Sequence, residues 1–501
     1  MAKIEYSEYL KKLPVSTLVA ESIFSDLSSS CKLYKLSKIC KTSSGGTPLR
    51  SRIEFYDGDI PWLKSGELND GLITKCNEFI TELGLKNSSA KLQPKGSILL
   101  AMYGATAGRV GILDFEASTN QAVCAIFPDE GKLDKDFLYW FLRQHRYKFI
   151  EISKGGAQPN ISQKVINDTL VPLPHISLQR ELALLFFDIE KNDKLDINLI
   201  PVQFQDKVNS VFHSKNNVEI ISFELKNQLS LISQLRQAFL KEAMQGKLVS
   251  NETSDGKTGA DLLAEIQTEK EKLIKEKKIK KGKPLPPISE EEIPFDIPEN
   301  WVWCRLENIC IKITDGFHHS VQKVSEGYPY ISAMHIRENS IKWDNGIFVP
   351  EKDHRELFKK AKPKRDDIII TNRGAGCGTP AIIDVDYEFS FQNAGLIGFV
   401  NHLISSKYIY YFIIFQRQSI VEFFVNGGLQ PMLSNVMLSK LEIPLPPLEI
   451  QNRIVSKLEE LMTYCDDLET SVKESQNYNE QLLQQVLREA LEVKEVAGEV
   501  K

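Results

Sequence analysis

Four short stretches hold residue types that could do chemistry, and each falls short of what that chemistry needs. Gly256-Lys257-Thr258 resembles the end of a phosphate-binding loop, but Asn251 stands where the first glycine is required, so no nucleotide cradle follows. Pro128-Asp129-Glu130-Gly131-Lys132 places the acids and lysine of a metal-dependent nuclease in one consecutive run. Those groups normally converge on a cation from separate strands, so a surface turn is the expected structure here. His318-His319 could offer two imidazoles to a metal, but no matching ligand pair accompanies them. Gly374-Ala375-Gly376-Cys377-Gly378 is glycine-rich without the strand–turn–helix setting of a dinucleotide site. No Gly-x-Ser-x-Gly, His-Glu-x-x-His, Asn-Pro-Pro-Tyr or Asp-Pro-Pro-Tyr occurs. A chain with these absences is expected to recognise or to scaffold, and not to be an enzyme on its own.

The bulk numbers narrow the classes further. At 501 residues the chain has material for about three domains at roughly 150 residues each. Hydrophobic content of 42% and charged content of 26% are those of an ordinary globular protein. Lys+Arg is 62 and Asp+Glu is 67, a formal net charge of −5, so any nucleic-acid footprint must be local. Eight cysteines are scattered without a CxxC, which suits reduced thiols in a cytoplasmic protein better than zinc or a disulfide framework. The N-terminus has acids where a signal peptide needs an apolar run, and Tyr408 to Phe415 is too short to span a bilayer. A cytoplasmic location with no membrane contact is therefore expected.

Internal duplication is the main signal. Gly155-Gly156-Ala157-Gln158-Pro159 returns as Gly427-Gly428-Leu429-Gln430-Pro431, and the same displacement carries Pro172-Leu173-Pro174 onto Pro444-Leu445-Pro446 and Gln179 onto Gln451. Upstream the register drifts only slightly. Leu36, Ile39 and Cys40 fall on Leu306, Ile309 and Cys310, Pro61-Trp62-Leu63 on Pro329-Tyr330-Ile331, and Gly104 and Gly108 on Gly374 and Gly378. So long a period means two copies of a whole domain, not a solenoid. Within each copy, Ser97 to Ala101 and Asp367 to Thr371 predict buried strands, and Phe137 to Phe149 and Lys407 to Phe424 predict helices.

A helix follows each copy. Leu225, Leu229, Ile232, Leu235 and Phe239 recur at steps of three and four, and Ile454, Leu458, Leu461, Leu468 and Val472 fall on heptad positions, interrupted by Ser475 and Asn479. A polar stretch from Asp188 to Asn217 is expected to be irregular. Asp261 to Lys281 predicts a charged helix with a solvated lysine face, followed by the stiff Lys283-Pro284-Leu285-Pro286-Pro287 connector. These boundaries give an N-terminal extension (1–30), a first domain (31–175), an irregular segment with the first spacer helix (176–259), a charged helix and Pro-rich connector (260–300), a second domain (301–446) and a C-terminal spacer helix (447–501).

The order domain, helix, domain, helix resembles the DNA-specificity subunit of type I restriction–modification systems. The resemblance is carried by Gly46-Thr47-Pro48 with Tyr56 to Leu68, by Ala243 to Val249, by the run from Ala260 to Trp303, and by Gly427-Gly428 and Gln430-Pro431 with Pro444 to Pro447. It implies an α/β (α+β) fold: two pseudo-symmetric globular target-recognition domains separated by long helices that form an antiparallel coiled coil. It also implies that each domain reads one half of a bipartite site in double-stranded DNA. The helices would dock two modification subunits, which use S-adenosylmethionine to methylate adenine, and restriction subunits would add ATP- and Mg-dependent cleavage. No cofactor or metal would belong to this chain.

Readout needs donors and acceptors on loops that reach base edges, and further groups for phosphates. The first domain offers Thr47, Arg50, Arg52, Lys64, Ser65, Tyr103, Thr106, Arg109, Lys154, Gln158 and Asn160. The second offers His318, His319, His335, Arg337, Arg373, Asn393 and Gln430. Gln158 and Gln430 hold one place in both copies, which argues for backbone or phosphate contact over base identity. The competing expectation is an assembly scaffold whose duplicated domains bind protein.

Overall fold

The computed structural model describes residues 6–153, 160–282, 285–317, 321–338, 340–344, 346–374, 376–424 and 432–491. The chain forms two compact units, Met1–Lys226 with Lys473–Lys501, and Asn227–Val472. The same strand plan is built in each.

In the first unit the strands run in the order Cys40–Ser44, Val123–Pro128, Ile98–Ala101, Val110–Leu113 and Gly71–Ile73. In the second the order is Cys310–Asp315, Ala394–Phe399, Ile368–Thr371 and Pro380–Ile382. The predicted buried strands are thus the inner strands of the two sheets, and every residue of Ile98–Ala101 and Ile368–Thr371 is buried. A strand covered on both faces must be apolar on both, which is why these runs do not alternate. A second sheet joins Phe79–Ile80, Tyr56–Leu63 and Ala117–Thr119 in one unit, and Phe348–Val349, Tyr328–Ser332 and Ser390–Gln392 in the other. In each unit the duplicated segment begins and ends in a two-stranded pair, Leu33–Lys35 with Leu170–Pro172 and Val302–Arg305 with Glu442–Leu445.

Gln179 and Gln451, matched in the sequence, have one job. Both are fully buried. The Gln179 amide donates to the Pro174 and Lys132 carbonyls while its oxygen accepts from the Asp134 N–H. Gln451 donates to the Pro446 carbonyl and accepts from the Ser405 N–H. Each ties the Pro-Leu-Pro turn to the loop before a core helix and satisfies buried backbone groups that would otherwise be orphaned.

The N-terminal helix Val15–Ser30 packs on Lys135–Gln144 and Ile176–Asn192, with Leu18, Val19, Ile23 and Phe24 in the core. Three expectations need correction. The stretch 188–217 is not irregular through its length, because helix Ile176–Asn192 runs into it and helix Gln205–Met244 begins within it. The charged helix stops at Lys275, not Lys281. Its lysines from Lys272 onward are exposed as expected, but Lys270 is half-buried and its Nζ donates to the carbonyls of Glu307 and Asn308 in the last turn of the short helix Leu306–Ile309.

The third correction concerns the spacer helices Gln205–Met244 and Leu448–Leu491. They pair antiparallel. In the second unit Leu240, Ala243 and Met244 share a core with Ile450, Ile454 and Leu458, while Arg236 bonds Asp466 and Glu469 at 2.7 and 3.0 Å. In the first, Val218 and Leu483 share a core. Ile454 is buried, but Leu468 and Leu235 are exposed. The position one residue on takes over: Val455 is buried, Glu469 half-buried and Leu483 buried. One stripe counted in sevens stays in the seam, with Leu458, Cys465, Val472 and Asn479 all buried, while the flank at Ile454, Leu461 and Leu468 turns progressively outward. Nor does Asn479 interrupt the seam. It is 6% exposed, and its amide donates to the Val218 carbonyl and Ser222 Oγ, both at 3.0 Å.

Trp62 anchors the second sheet of the first unit. It is 1% exposed, its indole N–H donates to the Gly46 carbonyl at 2.9 Å, and it packs with Ile80 and Ala90. Trp62→Ala is expected to cost about 3–5 kcal/mol, since it leaves a cavity and an orphaned carbonyl. Urea unfolding followed by hydrogen exchange should show the loss in residues 31–175 and not in 301–446.

Candidate nucleic-acid interface

A glycine turn at the end of each buried strand builds the frame of the candidate surface. Gly104 and Gly374 both have φ +87°, and Gly108 and Gly378 have φ +76° and +79°, a region costly for any residue with a Cβ. The turns close alike. The Gly108 N–H donates to the Ala101 carbonyl and the Gly378 N–H to the Thr371 carbonyl, both at 2.8 Å. A backbone bridge then fixes a second chain segment against each turn, Tyr103 with Asn160 in the first unit and Arg373 with Met432 in the second. Close approach fixes a third point: a Cβ on Gly45 would lie 2.2 Å from the Thr119 carbonyl oxygen, and one on Gly316 at the same distance from that of Phe391.

Beside each turn lies one turn of 3-10 helix, Ser65–Glu67 and Ala333–His335. Glu67 caps the first by accepting from the Lys64 N–H. His335 caps the second, its Nδ1 accepting from the Ser332 N–H at 3.0 Å. His335 is therefore a buried cap and not the exposed donor that the sequence suggested. It is 7% exposed, and burial, then the nearby Lys342 and Arg337 charges, pushes its imidazole below the ordinary value and keeps it a neutral acceptor.

The other candidates divide by how firmly they are held. Arg50 and Lys64 converge on one carboxylate, Glu78, and stack over Trp62. Hydrogen bonding by Lys64, before any effect of Arg50, holds Glu78 below the usual carboxylate range. Arg52 pairs with Glu54 at 3.2 Å and Thr47 bonds Gln121. Thr106 donates to the Ser65 carbonyl, tying the glycine turn to the 3-10 turn. The Tyr103 hydroxyl donates to the Gln121 carbonyl at 2.6 Å, and Arg109 lies 3.9 Å from Asp70. Asn393 has φ +56°, a backbone conformation that asparagine adopts more readily than most residues. Asn160, Arg337 and Arg373 are exposed. Lys154, Gln158, His318, His319 and Gln430 lie outside the described residues.

Sequence reading missed Glu78, the counter-charge of the first surface, and Met334, Arg417 and Met432 around the second. Met432 was within reach, because the repeated Gly-Gly motif places it on Asn160. Glu78 was not, because strand pairing alone brings it to Lys64.

All eight cysteines are free thiols, and burial pushes Cys40, Cys124, Cys304 and Cys310 up to about 12, away from reactivity. Among the described residues no group of three or more His, Cys, Asp or Glu could hold a metal, and no helix is long and apolar enough to cross a membrane. Asp129 and Lys132 form a 2.7 Å ion pair on an exposed turn, as expected for the compressed motif. Gly256-Lys257-Thr258 ends in a helix cap, with Thr258 bonded to the Asp261 N–H.

Comparison with known proteins gives one answer. The sequence profile of the "Type I restriction modification DNA specificity domain" matches residues 29–200 and again 298–476. The type I restriction enzyme EcoAI specificity subunit of Escherichia coli is 31% identical over 255 residues, which is 48% of this chain and 42% of that protein. The EcoEI specificity subunit of Escherichia coli is 26% identical over 261 residues, 49% of this chain and 43% of that protein. The match thus spans less than half the length of either relative. The crystal structure of the HsdS subunit from Thermoanaerobacter tengcongensis aligns over 92% of this chain and 96% of its own, at 16% identity and a TM-score of 0.43. With both profile matches falling on the duplicated halves, the chain belongs to the type I restriction modification DNA specificity family and carries its domain twice.

Proposed function

We propose that this chain is the DNA-reading subunit of a type I restriction–modification assembly and has no catalysis of its own. Each duplicated domain, 31–175 and 301–446, reads one half of a bipartite site in double-stranded DNA. Two modification subunits, carrying S-adenosylmethionine, dock on the paired helices and methylate adenine at the site so defined. Restriction subunits supply ATP- and Mg-dependent cleavage. The working compartment is the cytoplasm, where the DNA is.

One observation carries this reading. The two domains keep an identical frame of glycine turn, bridge and 3-10 turn, and change the side chains on it: Tyr103 and Asn160 in one, Arg373 and Met432 in the other. A fixed platform with variable outward groups is what reading two different half-sites requires. A scaffold binding the same protein twice would have reason to keep those groups alike. Net charge of −5 is no obstacle, since the cations are local.

The test is adenine methylation and DNA binding by the purified chain, alone and with modification subunits, across a salt series. The chain alone is expected neither to methylate nor to cut. The complex is expected to bind one bipartite sequence with an affinity that falls steeply as salt rises. Methylation by the chain alone, or a complex whose DNA binding ignores sequence, would overturn the proposal.

A further inference from the structure

The second domain contains a cleft of about 500 Å³ that the first domain does not reproduce in its chemistry. Its lining includes Met334, Arg337, Thr371, Arg373 and Arg417. Three guanidinium groups converge on it, and they are not equivalent. Arg417 is paired with Glu338 at 3.3 Å, and Arg337 donates to the carbonyl of its own neighbour Ile336 at 3.2 Å. Arg373 is exposed and has no partner among the described residues. Its backbone is nonetheless fixed, by the glycine turn on one side and the bridge to Met432 on the other. On the floor, Thr371 is 1% exposed and its hydroxyl is buried without a hydrogen-bond partner.

The same places in the first domain carry other groups. Ala101 stands for Thr371, so the floor has no hydroxyl, and Tyr103 stands for Arg373, with its hydroxyl already spent on the Gln121 carbonyl. The difference lies at one point of a common frame. It therefore bears on what each domain selects, not on how each folds.

Resting on the reading of the domain as one half-site reader, we propose that this cleft reads a guanine in the half-site of the second domain, with Arg373 as the reading residue and Arg337 in support. A guanidinium has two parallel N–H donors whose spacing matches O6 and N7 of guanine in the major groove. Met334, 67% exposed at the rim, is an apolar surface suited to a base edge or a thymine methyl and unsuited to a phosphate. A phosphate contact would need only charge, which a lysine on an open surface supplies as well.

The experiment uses the full chain with its modification subunits and maps methylated adenines and their sequence context for the parent, Arg373→Ala, Arg373→Lys and Arg337→Ala. The parent's half-site for the second domain should contain a G·C pair. Arg373→Ala should relax that pair alone, cutting discrimination roughly 5- to 150-fold, and leave the other half-site as it was. Arg373→Lys keeps the charge but loses the fork, so it should relax the same position. Arg337→Ala should relax it less. Because Arg373 is exposed and unpaired among the described residues, melting temperatures should match the parent.

Three results would overturn the proposal: a parent half-site with no G·C pair, an Arg373→Lys complex that keeps full discrimination, or an Arg373→Ala complex weakened equally on all sequences with a shallower salt dependence. The last two would mark a phosphate contact. Exchange of the whole second domain, run in parallel, separates the two levels. If it changes one half-site while Arg373 substitutions do not, only this assignment falls. If it changes nothing, the half-site reading itself falls.

Discussion

A complex whose chain carries residues 301–446 from a relative of different specificity is expected to methylate a hybrid target, with one half-site new and the other unchanged. The cut points follow from the strand pairing. Val302 pairs with Leu445 and Arg305 with Glu442, so the segment enters and leaves through adjacent strands. Cutting at Ile443 would leave half of that pair behind, whereas cutting after Pro446 moves it whole. Arg305 should travel with the segment, since it is 5% exposed and bonds Glu442 and the Lys440 carbonyl within it. Its remaining bonds, to Glu292 and the Pro286 carbonyl, reach into the connector, so the donor must keep an arginine there. Each mismatched base pair costs about 1–3 kcal/mol, and several change at once, so the old half-site should lose recognition by orders of magnitude. Genome-wide mapping of methylated adenine reads the result. Simultaneous change in both half-sites would refute the assignment of one domain to one half-site.

The second large effect concerns the gap between half-sites. One heptad inserted after Lys226 and another after Val472 is expected to widen the recognised gap by up to about three base pairs. The helix rises about 1.5 Å per residue, so a heptad adds roughly 10.5 Å. DNA rises about 3.4 Å per base pair along one strand. Both insertions fall between the two pairings that define register, Arg236 with Asp466 and Glu469, and Asn479 with Val218 and Ser222. A heptad in one helix alone would throw Asn479 out of register and bury its amide without partners, so that single insertion should lose assembly. DNA bending can absorb part of the change, which makes three an upper bound. An active double-insertion complex with its original gap would show that these helices do not set the spacing.

Half of this architecture was open to inspection in the linear chain. The duplication, the buried strands Ile98–Ala101 and Ile368–Thr371 and the helix Ser406–Phe424 were legible because each depends on local pattern: apolar runs, glycines at turns, helical period. The match of Gln179 to Gln451 was legible too, but not its meaning. A glutamine reads as a surface residue until folding places its amide among backbone groups that water cannot reach.

The candidate surface was legible only as a list. Residue type alone proposed both His335 and Arg373, and the fold separated them by turning one inward as a cap and leaving the other outward on a fixed turn. Lys64 and Arg50 read as free cations because their counter-charge, Glu78, comes from just before the neighbouring strand Phe79–Ile80, and nothing local predicts that pairing. On the helices the period was clear but the face was not. The heptad stripe of Leu458, Cys465 and Val472 stays buried and Asn479, a polar break in the count, continues it as a hydrogen-bonded link, whereas Leu468 on the other stripe turns to solvent. The sequence by itself determined which elements form and that they form twice. The tertiary structure decided which side chains face outward, because that depends on partners distant in the chain.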